Sequence, residues 1–257
     1  MTAAQIQEDI KARLSNIENM LPASMPRVSE DMIRDSLMSD EFLDFIKINM
    51  MPVEQLMTFY QCAIMQVETK FNILNEQFSL SLDRNPIQSI KSRVKSYDSI
   101  MKKIRRKKIG LSIEDIEDKM NDIAGVRVIC SYVDDIYLLA DCLLSQDDVI
   151  LVERKDYIKD PKPSGYRSLH LIIKVPIYLQ NEKKEVKVEV QLRTIAMDFW
   201  ASLEHSLHYK RCQADGAECG EAEELAGELI ECAKESARLD AKMQEIRDRI
   251  AELSGES

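Results

Sequence analysis

At 257 residues, 45% hydrophobic and 31% charged, the chain has the composition of a globular protein and the length for one large core with helical extensions. A net charge of −10 argues against a protein that coats nucleic acid, and no apolar run reaches the roughly eighteen residues of a membrane span. Six cysteines stand without a C-x-x-C pair, and residues 1–10 lack the basic and apolar regions of a signal peptide. Reduced thiols and a cytoplasmic location are therefore expected.

In chain order, Ile6, Ile10, Leu14, Ile17 and Leu21 carry helical spacing, and Pro22 and Pro26 close that segment. A weaker helical piece comes next, over 41–50. Pro52 then suits the first position of a long helix with Val53, Leu56, Tyr60, Ile64, Val67, Phe71 and Leu74 on one side. From Lys91 to Lys108 the chain gathers nine Lys/Arg against one acid, Asp98. The run is expected to be helical to about residue 103. An acidic protein has no solubility reason to concentrate positive charge, so a polyanion such as a nucleoside triphosphate or RNA is the better explanation.

Ser112 predicts a cap for a helix over 113–122, with acids in its first turn. Gly125 is read as its break, before a β-branched strand over 126–133. A helix over 134–145 and strands near 149–157, 168–179 and 185–194 come after it, with a hairpin about 181–184 and a helix through residue 209. The pattern predicts an α+β domain on a mixed sheet. In the last strand Val186, Val188, Val190 and Leu192 share one face, and Lys187, Glu189, Gln191 and Arg193 the other. The stretch from Leu225 through Leu229, Cys232, Leu239, Met243, Ile246 and Ile250 to Leu253 keeps a heptad rhythm, with Ser236 in the polar slot. Such a seam suits oligomerisation better than packing onto the N-terminal helices.

Four elements carry usable chemistry. The basic run offers Arg93, Lys95, Ser99 and Lys103; on a helix, Arg93 and Lys103 would share a broad face fit for a triphosphate. Asp122 precedes Gly125, and Arg127 enters a strand. Lys162, Tyr166 and His170 sit at the mouth of the next strand, where a tyrosine face can stack on a base and a lysine can hold phosphate. Glu189 and Gln191 complete the set. Taken alone, Glu189 could be an ordinary surface-strand acid and Asp122 a helix-end acid. Together they fit Mg²⁺, which takes one or two carboxylates with substrate phosphates and water, and phosphoryl-type transfer, which needs positioning and charge neutralisation. No P-loop, G-x-G-x-x-G or G-x-S-x-G motif is present. His205 and His208, three apart on a helix, fit packing or a subunit contact better than a metal.

At these motifs the chain resembles the RelA/SpoT family, most closely its small, single-domain alarmone synthetases. The resemblance rests on Arg93-Val94-Lys95, Asp122-Ile123-Ala124-Gly125-Val126-Arg127, Ser164-Gly165-Tyr166-Arg167-Ser168-Leu169-His170, Glu189-Val190-Gln191-Leu192-Arg193-Thr194 and the helix from Phe199 to Leu207. It runs from about Val53 to the C-terminus. It implies a nucleotidyltransferase-like synthetase core over 51–211, a helical extension over 1–50 and an oligomerisation helix over 212–257, in a homotetramer. The implied reaction transfers pyrophosphate from ATP to the ribose 3′-hydroxyl of GDP or GTP, giving AMP and ppGpp or pppGpp. Arg93 and Arg127 would sandwich adenine, and Lys95, Ser99 and Lys103 would hold ATP phosphates. Asp122 and Glu189 would bind Mg²⁺, with Glu189 also the base. Tyr166 would stack on guanine, and Lys162, His170, Gln191 and Asp198 would contact the acceptor nucleotide. Asp198 stands where related small synthetases often carry asparagine, the loop between Lys103 and Asp122 is longer than usual, and the first fifty residues match nothing. The chain holds no His-Asp dipeptide, so no hydrolase activity is expected. Weak single-stranded RNA binding through the basic run could coexist with synthesis. The competing readings are a non-catalytic nucleotide sensor or RNA-binding module on the same fold, and a nucleotidyltransferase that releases pyrophosphate.

Overall fold

Alternation over 182–194 sets the centre of the molecule. Val186, Val188, Val190 and Leu192 are buried on one side, and Glu189 and Gln191 stay partly open on the other, as period-two geometry requires. The computed structural model describes residues 40–81, 84–110, 112–180, 182–211 and 219–254; the helix expected over 1–21 lies outside them. The chain forms two compact units, 1–53 and 54–257. Of the first, helical residues from Asp40 onward are described; the sheet belongs to the second.

The elements are α1 (Asp40–Ser81), β1 (Ile87–Val94), α2 (Tyr97–Lys107), α3 (Ile113–Lys119), β2 (Ala124–Cys130), α4 (Val133–Leu144), β3 (Ile150–Asp156), β4 (Leu169–Leu179), β5 (Glu182–Thr194), α5 (Ile195–Arg211) and α6 (Cys219–Ser254). The fold is α+β. One five-stranded sheet runs in the order β1-β2-β5-β4-β3, with β2 and β5 parallel and the other pairs antiparallel. The apolar sheet face (Val126, Val128, Leu169, Leu171, Ile173, Val188, Val190, Leu192) joins Phe59, Ala63, Ile64, Val67 and Phe71 of α1 and Ile136, Leu139 and Leu143 of α4 in a single core. This burial is the main driving force for the arrangement.

Three expectations change here. The basic run is not one helix: it is edge strand β1, a turn at Lys95–Ser96, and then α2, capped by Ser96, whose side chain accepts from the Ser99 amide. The strand was illegible because its burial lacks clean alternation, with a register shift between Ile87 and Ser89. Helix α1 begins at Asp40, so Pro52 lies inside it rather than opening it. Gly125 does not break a helix. Ser112 caps α3 as expected, with its side chain accepting from the Asp115 amide, but α3 ends at Lys119 and Gly125 lies in β2.

Helix α6 docks by its small and polar side. Ser236 Oγ donates to the Ala196 carbonyl (3.1 Å), Thr194 Oγ1 donates to Asp240 (2.7 Å), and Ala233 is buried. The heptad positions Leu225, Leu239, Met243, Ile246 and Leu253 face outward and are exposed.

Candidate active site

Register brings the polar sheet face together as a row. Lys91 pairs with Arg127, Arg127 with Gln191, Gln191 with His170, and His170 with Lys155, one residue from each strand. One step along, Arg93 is opposite Gly125 and Gly125 opposite Glu189. Two residues along a strand return to the same face, so Arg93, Arg127, Glu189, Gln191 and Arg193 share it. Gly125 adds no side chain, and a Cβ built there meets only the Arg93 carbonyl, at 3.9 Å. An open cleft remains, lined by Lys91, Arg93, Asp122, Arg127, Glu189 and Gln191.

On the β1 side, Asp122 sits in the turn before β2, not on a helix. Lys95 Nζ donates to Oδ2 and Lys103 Nζ to Oδ1, both at 2.6 Å. Burial alone would raise this carboxyl, but the two ammonium groups hold it below the usual carboxylate range. Ser99 is engaged with the cap of α2, accepting from the Ser96 hydroxyl at 2.9 Å. Arg93, Lys95 and Lys103 thus reach the neighbourhood of Asp122 from a strand, a turn and a helix, rather than from the single helical face expected.

On the β4 side, a turn presents Lys162 and Tyr166. The Gly165 amide donates to the Lys162 carbonyl (2.8 Å) and the Lys162 amide to the Tyr166 carbonyl (3.2 Å). Gly165 takes φ +89°, and a Cβ there would lie 2.5 Å from the Ala233 Cβ of α6. Both the backbone conformation and the close approach therefore require glycine. Lys162 Nζ lies 4.9 Å from the Tyr166 ring centroid and 4.6 Å from that of Tyr157, within cation–π range. Tyr166 also packs against Trp200, Ala201 and Ala233.

Glu189 joins the two halves. His170 Nδ1 approaches its Oε1 (3.2 Å), and Gln191 Nε2 donates to its Oε2 (3.1 Å). Burial pushes the Glu189 carboxyl up and nearby Asp122 adds to that. The His170 and Gln191 contacts outweigh both and hold it below the ordinary value. Among the described residues no three His, Cys, Asp or Glu side chains converge on a metal position. The two carboxylates that line the cleft, Asp122 and Glu189, are of the oxygen type that Mg²⁺ takes together with substrate oxygens and water.

Asp198, 8% exposed, is surrounded by cations: Lys91 Nζ at 3.0 Å, Arg127 Nη1 at 3.2 Å and Arg193 Nη1 at 3.3 Å. Burial would raise its carboxyl too, and these three charges keep it low. Arg127, crowded by Arg193 as well as buried, is displaced downward. The sequence places Lys91 in the basic run and Arg193 in the Glu189–Thr194 motif, on the same strand face as Glu189 and Gln191, without giving either an individual role. His205 and His208 fall on α5, with their side chains outside those described.

A family profile described as "Region found in RelA / SpoT proteins" matches residues 92–214. The chain is 42% identical to GTP pyrophosphokinase YwaC of Bacillus subtilis (strain 168) over 208 residues, 81% of this chain and 96% of that protein. The chain belongs to the RelA/SpoT family. A second relative within it, GTP pyrophosphokinase YjbM of the same organism, is 38% identical over 77% of this chain and 90% of its own length. Among solved structures, small alarmone synthetase 1 from Bacillus subtilis bound to its product pppGpp superposes with a TM-score of 0.69 at 37% identity, covering 78% of this chain and 98% of that one. Small alarmone synthetase 2 of the same organism gives 0.67 at 43% identity, covering 76% and 98%. Within the RelA/SpoT family the chain groups with these small synthetases.

Proposed function

We propose that the protein is an alarmone synthetase that transfers the β,γ-diphosphate of ATP to the ribose 3′-hydroxyl of GDP or GTP. The O3′–Pβ bond forms, the Pα–O–Pβ bridge breaks on the Pβ side, and AMP leaves with the bridging oxygen. The observation that carries this reading is Glu189, which stands between a cationic cleft and an aromatic, lysine-bearing turn. Relatives matching at nearly full length are GTP pyrophosphokinases, and one such structure holds pppGpp.

The residues divide the work. Arg93 and Arg127 present guanidinium planes to the adenine, and Lys95 and Lys103 take the ATP phosphates, releasing Asp122. Tyr166 stacks on guanine once Lys162 turns from its ring toward the acceptor phosphates. His170, Gln191 and Asp198 frame the acceptor side. Glu189, kept ionised at neutral pH, accepts the 3′-hydroxyl proton. Asp122 and Glu189 would hold Mg²⁺, which supplies charge neutralisation on the transferred phosphates.

We read residues 51–211 as the synthetase domain and 1–50 as an extension, and we assign synthesis without hydrolysis. The outward heptad face of α6 adjoins an apolar groove of about 940 Å³ beside Ile195, Phe199 and Cys232, which supports a homotetramer built through this helix. Leu239→Glu with Ile246→Glu would then shift the sedimentation coefficient to a smaller species. Weak single-stranded RNA binding would use the exposed Arg105–Lys108 end of α2. No described helix is long and apolar enough to cross a membrane.

Purified protein with ATP, Mg²⁺ and GDP or GTP, resolved by anion exchange, tests the activity. AMP should appear one-for-one with a more highly phosphorylated guanine nucleotide. Release of pyrophosphate, or no AMP with either acceptor, would overturn it.

A further inference from the structure

Hydrogen-bond polarity around Glu189 can be read from its chemistry. A carboxylate only accepts, so the His170 Nδ1 that faces Oε1 carries the proton. In the neutral imidazole the other ring nitrogen, Nε2, is then the acceptor for the Tyr166 hydroxyl, at 2.7 Å. That hydroxyl, having donated, accepts from Arg193 Nη2 in turn. A second arm starts from the same nitrogen: Arg193 Nη2 donates to Gln191 Oε1 (3.1 Å), and Gln191 Nε2 donates to Glu189 Oε2. Two donor chains thus leave one guanidinium nitrogen and end on the two oxygens of one carboxylate.

We propose that Arg193 is the positioning residue of this site, orienting Glu189 through Tyr166–His170 on one oxygen and through Gln191 on the other. It is suited to the task. Only 4% exposed, it carries its guanidinium 5.0 Å from the Tyr166 ring centroid and is tied through Nη1 to Asp198. Asp198 also holds Arg127, so the same anchor registers the adenine side against the acceptor side. Chains of bonds with one polarity reinforce each other and fix each member's tautomer or amide orientation. Lysine has the charge but not the fork: its ammonium cannot hold Asp198, Tyr166 and Gln191 in one plane.

This inference rests on the reading of Glu189 as the proton acceptor, and the test separates the two. Wild type, Arg193→Lys, Tyr166→Phe and the double variant are compared by kcat, by KM for GTP and by direct binding of a non-hydrolysable ATP analogue. Arg193→Lys should lower kcat by about ten- to a hundredfold, the worth of one or two charge-assisted bonds. Affinity for the ATP analogue should stay within about threefold, below 0.7 kcal/mol on the same scale. Tyr166→Phe keeps the stacking ring and cuts one arm, so kcat should fall with KM for GTP little changed. The double variant should be no slower than Arg193→Lys, because both changes break the same chain. Additive losses, unchanged kcat in Arg193→Lys, or kcat and both affinities falling together would overturn the proposal. If Arg193→Lys fails to fold, Tyr166→Phe decides, and an unchanged kcat there refutes it. An inactive wild type would instead overturn the synthetase reading.

Discussion

His170 Nδ1 lies 3.2 Å from Glu189 Oε1, joining adjacent strands β4 and β5 across the polar face of the sheet. The side chains on either side of Glu189, Val188 and Val190, point into the core. Glu189→Gln therefore leaves the core packing alone, removes the charge and sets an amide N–H₂ against one of the two donors, from His170 or Gln191, that the carboxylate accepts. We expect circular dichroism and melting close to wild type and AMP production down at least about a hundredfold, the range for a lost general base. Near-normal turnover would refute the assignment of Glu189.

Tyr166→Ala removes the stacking surface as well as the hydroxyl. Base–aromatic stacking is worth about 1–3 kcal/mol, so KM for the guanine nucleotide should rise roughly ten- to a hundredfold. Affinity for an ATP analogue measured by calorimetry should change far less.

Gly125 leaves room between Arg93 and Glu189. In Gly125→Val the β-branched side chain suits a strand, and its Cβ meets no atom closer than the Arg93 carbonyl at 3.9 Å. The variant should fold as wild type yet fill the cleft, losing ATP-analogue binding by about tenfold or more, the cost of an overpacked contact of 1–3 kcal/mol. Retained binding would show that the nucleotide lies elsewhere.

The low-lying Asp198 carboxyl makes a stability prediction with a definite sign. A carboxyl depressed in the folded state contributes stability above its unfolded value, near 3.9, and loses it as pH falls through the folded value. Asp198→Asn lacks that contribution and leaves Lys91, Arg127 and Arg193 without their shared partner. It should unfold about 1–3 kcal/mol more easily at pH 7. The gap should close as pH is taken below about 4, read by denaturant titration across pH. A constant gap would mean that the carboxylate is not what holds the three cations.

Gly165→Ala confronts both a positive φ and the Ala233 Cβ at 2.5 Å. A loss of about 1–3 kcal/mol is expected, together with weaker binding of GTP, since the same turn carries Lys162 and Tyr166. Wild-type stability by thermal melting would contradict the close docking of this turn on α6.

Where the chain alternates, its structure was legible. Val186 to Leu192 announced β5, and Ser112 announced α3. Charge without apolar rhythm is a poor guide: the basic residues of Lys91–Val94 belong to edge strand β1, which buries little beyond Ile87 and so shows no clean alternation. Glycine misled as well, because at 125 it marks an opening rather than an end. The chemical residues of both halves were nameable from their motifs. Their mutual placement was not, since it depends on β2 and β5 pairing in parallel across some sixty residues of intervening chain. Arg193 is named in the motif and on the polar strand face, but its individual role is not legible, because an arginine near a strand end reads as solvent-facing. It is buried and bonded to Asp198 of α5 and to Tyr166 before β4, contacts that no pattern within the strand records.

The position of β5 has a consequence for how the protein comes into being. Among the described strands it is the last in chain order, yet it occupies the centre of the sheet, between β2 and β4. Until residues 182–194 have left the ribosome, the β1–β2 pair and the β3–β4 pair share no edge, and the basic side and the tyrosine side have nothing to hold them in register. A chain cut short before residue 182 therefore lacks the strand that sets the two sides in register.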